Sequence, residues 1–102
     1  MFSKFQVVNK VSMVVKDEHN RSVSGFKAVI NDEIFNLAYL SFAKEFDLEE
    51  KFPSNEMYGS NDVSAVDGKP LCVLTFNFGS VSSEKVIVSS FKDLQKITNS
   101  LK

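Results

Sequence analysis

Residues 31–48 read NDEIFNLAYLSFAKEFDL, and the fold turns on whether this stretch is a helix. Phe35, Tyr39, Phe42 and Phe46 recur at three- and four-residue steps, the spacing of one helical face. Placed at about 100° per residue, Ile34, Phe35, Ala38, Tyr39, Phe42, Ala43 and Phe46 share one half of the cylinder. Asn31 is a good N-cap, and Asp32 and Glu33 put negative charge in the first turn, where the helix dipole favours it. The spacing therefore predicts a helix over 31–48, with Phe42 buried at the centre of the fold. Leu37 and Leu40 fall on the opposite half, beside Asn36, Lys44 and Asp47. They need cover, either from the chain itself or from a second copy in a homodimer.

Before this stretch, residues 4–16 alternate strictly. Phe5, Val7, Val11, Met13 and Val15 share one face with Asn9, while Lys4, Gln6, Lys10, Ser12 and Lys16 point the other way with Val8 and Val14. That is a long, half-buried strand. Residues 17–21 are turn-like, and residues 22–30 read as the returning strand, with Gly25 marking a bulge or a close approach. After the predicted helix, residues 49–61 (EEKFPSNEMYGSN) have no periodicity and are broken by Pro53 and Gly59. Residues 62–66 form a short strand candidate, and Asp67-Gly68 is a tight-turn signal. Residues 71–78 (LCVLTFNF) are apolar on both faces at their start, as in a central strand. A loop over 79–84 leads to a last strand over 85–89. Ser90 caps a final helix over 91–101, whose apolar stripe is Phe91, Leu94, Ile97 and Leu101.

The element order is then β-β-α-β-β-β-α. It predicts an α+β domain over 1–102, an antiparallel sheet of about five strands with both helices on one face. Residues 31–102, read as α-β-β-β-α, are similar in element order to the double-stranded-RNA-binding domain. That family presents a lysine cluster at the start of its last helix; here Lys92 is followed by Asp93.

At 102 residues, 43% hydrophobic and 25% charged, the composition is that of one globular domain. The net charge of −1 hides a segregation into basic, acidic and basic stretches. Residues 1–30 hold five bases against two acids, residues 45–67 seven acids against Lys51, and residues 68–102 five bases against two acids. Eleven lysines to one arginine, with abundant Asn, Phe and Ser, point to an AT-rich coding sequence, as in phages, mobile elements and low-GC bacteria. Residues 1–11 alternate apolar and polar without a continuous apolar run, so no signal peptide is expected there, and a reducing cytoplasm is the expected location.

Catalysis has little to work with. His19, the one histidine, sits in a turn among Asp17, Glu18 and Asn20, without the cleft that a general base needs. Cys72, the one cysteine, lies between apolar neighbours, far from the electropositive setting that activates a thiol. Together they make neither a dyad nor a zinc site, and no calcium loop or glycine-rich phosphate loop is present. No enzyme, metal or cofactor is expected. What remains is surface chemistry. The acidic segment and its loop supply Glu45, Asp47, Glu49, Glu50 and Glu56 around Phe52, Met57 and Tyr58, apolar anchors ringed by charge, as in many protein interfaces. The expected function is a non-enzymatic protein-binding module for a basic partner surface, such as an inhibitor or decoy of phage or mobile-element origin. The alternative is nucleic-acid association through Lys4, Lys10 and Lys16, which line up at six-residue spacing on one face.

Overall fold

The computed structural model describes residues 2–52 and 61–99. It overturns the central helix. Strand β1 (Phe2–Lys16) pairs along its whole length with β2 (Ser22–Asn36), so residues 31–36 continue the second strand. A 3₁₀ turn (Leu37–Tyr39) then leads into β3 (Leu40–Glu45) and the single turn of α1 (Leu48–Lys51). Next come β4 (Asn61–Asp62), β5 (Leu71–Phe78), β6 (Val81–Val88) and α2 (Phe91–Asn99). With no helix over 31–48, the element order shared with the double-stranded-RNA-binding domain disappears.

The aromatic spacing misled for a physical reason. Phe35 lies on β2, Tyr39 in the 3₁₀ turn, Phe42 on β3 and Phe46 just beyond it. The turn and a bulge between Leu40 and Phe42 break the strand period twice. A period of two with two breaks imitates three- and four-residue steps. Asn36, not Asn31, is the cap: its side-chain oxygen accepts from the Ala38 amide at 3.1 Å.

The sheet has six strands in the order β3-β5-β6-β1-β2-β4, antiparallel except where β4 runs parallel to β2 at Phe26 and Lys27. Gly25 sits in unbroken register opposite Met13, so no bulge forms there. The strand expected at 62–66 shrinks to Asn61–Asp62, because residues 63–69 form consecutive turns that end at Gly68, whose φ of 74° is left-handed. The last strand is longer than expected and follows a turn at 79–80.

The sheet is strongly curled. Between β2 and β3 lie β1, β6 and β5, a flat distance of about 19 Å at the usual strand spacing. The 3₁₀ turn advances only about 2 Å per residue. The edges must therefore approach each other, and the rings of Phe35 on β2 and Phe76 on β5 stack at 5.0 Å. The concave face packs Phe5, Val7, Leu37, Cys72, Leu74, Phe76 and Ile87 around Leu94 of α2. The convex face packs Val8 and Ala28 under Phe52 and Val66, with Phe46 and Leu48 alongside. The two helices thus lie on opposite faces, not on one. A sheet buried on both sides needs cover on both.

Two expectations about packing change accordingly. Leu37 is 4% exposed within the concave core and Leu40 is half-buried against it, so the chain itself covers both. Phe42 is 58% exposed, because its partner position on β5 is Thr75 on the convex side of an edge strand. The final helix is as expected at its start: the Ser90 hydroxyl accepts from the Asp93 amide at 3.1 Å.

Candidate interaction surface

Four elements meet on the convex face to form a small pocket. Val8 of β1 and Val86 of β6 are a cross-strand pair and make its floor. Phe46, after β3, and Phe52, after α1, make its walls. Phe46 is held where its amide donates to the Leu71 carbonyl at 3.1 Å, and Phe52 where its amide donates to the Leu48 carbonyl at 2.8 Å. Lys10, Lys51 and Glu84 form the rim around a volume of about 200 Å³.

The rim charges are arranged unequally. Lys51 Nζ lies 3.7 Å from Glu84 Oε2. Lys10 Nζ instead sits 3.8 Å above the Phe26 ring and 5.6 Å from the Phe52 ring. Among the described residues no carboxylate lies within ion-pair distance of Lys10. An ammonium held over ring faces keeps a fixed place through the aromatic quadrupole while its far side stays open.

The acidic segment does not gather into one patch. Asp47 caps α1, accepting from the Glu49 amide at 3.1 Å and the Glu50 amide at 3.4 Å. Glu49 and Glu50 follow in the first turn of α1, both exposed. The dipole favours them there, whereas the end of a helix over 31–48 would have opposed them. Glu45 is exposed at the end of β3, opposite Cys72 in register, on the concave side. Asp62 accepts from the Ser64 amide at 3.1 Å, and that bond holds its carboxyl below its ordinary value. Phe52 is 7% exposed, so it is a wall and not a protruding anchor. Glu56, Met57 and Tyr58 lie outside the described residues.

The lysine row has its own geometry. Lys4, Lys10 and Lys16 share the convex face, with about 20 Å between neighbours at the usual strand rise. Lys4 Nζ approaches Asp32 Oδ2 at 3.9 Å, and Lys16 Nζ donates to Ser22 Oγ at 2.9 Å.

The groups that could carry catalysis stay apart. His19 is exposed in the β1–β2 turn, 3.6 Å from Glu18. Cys72 is fully buried, and burial pushes its thiol up, with Glu45 adding to the effect. Among the described residues no cluster of His, Cys, Asp or Glu could hold a metal ion, and no helix is long and apolar enough to cross a membrane. Sequence reasoning missed the pocket, since its lining comes from three separate stretches, 8–10, 46–52 and 84–86. The one local signal was Phe46, Leu48 and Phe52 interleaved with acids. Comparison with protein families, with curated proteins and with solved structures gave no match.

Proposed function

We propose that this protein is a non-enzymatic binding module that acts on another protein, as an inhibitor or decoy of phage or mobile-element origin would. The observation that carries this reading is the pocket beside α1. At about 200 Å³ it falls below the range of about 300–1,000 Å³ usual for small-molecule and cofactor sites. It is the size of one inserted side chain, the way a central anchor docks in an interface. Glu49 and Glu50 stand exposed beside it and favour a partner with basic residues around that anchor. The partner supplies the anchor and this chain the socket.

The test has two steps. Partners are captured from a cell lysate, with a nuclease-treated control, and the binding kinetics of the captured protein are then measured. Glu49→Lys with Glu50→Lys should slow association and flatten its salt dependence while leaving the circular dichroism unchanged. Kinetics identical to wild type would remove Glu49 and Glu50 from the interface. A second reading, nucleic-acid association, is favoured by the shared face of Lys4, Lys10 and Lys16. Changing all three to Gln should then abolish retention that nuclease also abolishes.

A further inference from the structure

We infer that the pocket between Phe46 and Phe52 is a receptor for the C-terminal residue of a partner chain, its free carboxylate resting on Lys10. The inference rests on the protein-binding reading above and specifies the partner's chemistry. The floor and walls are apolar: Val8, Val86, Phe46 and Phe52. Of the two ammonium groups on the rim, Lys51 is engaged by Glu84 at 3.7 Å, while Lys10 is held over Phe26 with no carboxylate of the described residues within ion-pair distance. The site therefore asks for apolar bulk and a negative charge within one residue's reach.

An internal Asp or Glu brings the charge without the bulk, and an internal Leu or Phe the bulk without the charge. A chain-terminal Leu or Phe brings both, and terminal carboxylates are a recognised handle for peptide capture. A free aromatic acid would satisfy the pocket as well, but at about 200 Å³ the pocket is smaller than the sites usual for free small molecules. A C-terminal segment extends past the pocket along α1, where the exposed Glu50, next to Lys51 of the rim, favours lysine or arginine just before its last position. The ligand class is thus a basic C-terminal peptide ending in a large apolar residue.

Two probes decide the matter: acetyl-Lys-Lys-Phe with a free C-terminus and the same peptide as the C-terminal amide. Each is titrated into the isotope-labelled full chain and followed by amide chemical shifts at low salt. The acid should shift Val8, Phe52 and Val86 and bind about fivefold tighter than the amide, the worth of one exposed charge pair. Lys10→Gln should erase that preference, and Lys10→Arg should keep it. Equal affinity of acid and amide, shifts that map elsewhere, or no binding of either peptide overturns the inference. Those outcomes leave the protein-binding reading to its own test, because the kinetics of the Glu49 and Glu50 reversals do not depend on how the anchor ends.

Discussion

Two side chains show how local surroundings set reactivity. Asp17 organises the β1–β2 turn: its Oδ1 accepts from the Arg21 amide at 2.8 Å and the His19 amide at 2.9 Å, and its Oδ2 from Arg21 Nε at 2.9 Å. The Arg21 amide bond is the largest cause holding its carboxyl below the ordinary value. Because the folded form titrates lower than the unfolded form, the turn's contribution is complete at neutral pH. It is lost as pH falls through the depressed folded value. Followed by the amide shifts of His19 and Arg21, the transition should have its midpoint below about 3.9, the usual value for Asp. A midpoint at that ordinary value would mean the bonds do not persist in solution. Asn20 completes the turn with a φ of 60°, a left-handed conformation that Asn tolerates better than most residues. Cys72 is the opposite case. With no exposed surface and a raised thiol, it should not react with a thiol reagent in the native protein and should react fully on unfolding. Rapid native labelling would reopen a catalytic role.

At the scale of elements, Phe42 separates the two readings of residues 31–48. A helix over that stretch would bury it, and Phe42→Ala would cost about 3–5 kcal/mol. On β3 it is 58% exposed, so the same change should cost under about 1 kcal/mol. Leu94→Ala, by contrast, empties the contact of α2 with the concave core and should cost about 2–5 kcal/mol. Denaturant midpoints for the two variants check both values. The strands that were legible, 4–16 and 71–78, keep one period and one pair of faces throughout. Residues 31–48 pass through β2, the 3₁₀ turn and β3 to the start of α1 and change faces at the bulge, and no single-period pattern describes such a stretch. The acids misled in a similar way. Asp47 and Asp62 look like members of a patch in the sequence, yet each is engaged by backbone amides of its own turn. The alternation that sets Lys10 on the polar face was legible. Its seat over Phe26 was not, because it depends on the β1–β2 register and on Phe52 arriving from α1.

At the scale of the molecule, the dominant feature is the length of the β1–β2 hairpin. The described residues span 57 × 31 × 21 Å with a radius of gyration of 16.0 Å, where a compact chain of this length has about 13 Å. The excess is accounted for by the pairing. β1 meets β6 only at Val7 and Val8, and β2 meets β4 only at Phe26 and Lys27, so beyond Ser12 and Phe26 no third strand among the described residues pairs with the hairpin. Val14, 71% exposed, is left open to solvent there. Such an open edge invites pairing with another copy. A twofold pairing of two β1 strands about Met13 would set Lys10 opposite Lys16 of the other copy, and like charges directly opposite destabilise a ladder. The lysines thus protect the arm they decorate. A two-stranded ribbon is marginally stable in water, so the arm should exchange its amide hydrogens faster than the strands over the concave core. It should also be separable. A chain in which Asn-Gly replaces residues 13–25 joins Ser12 to Phe26, already partners in register, through a turn suited to a two-residue hairpin. It removes no member of either buried cluster. That chain should keep a single cooperative melt, and its radius of gyration by solution scattering should fall toward about 13 Å. A shortened chain without a cooperative transition would show that the arm belongs to the folding core.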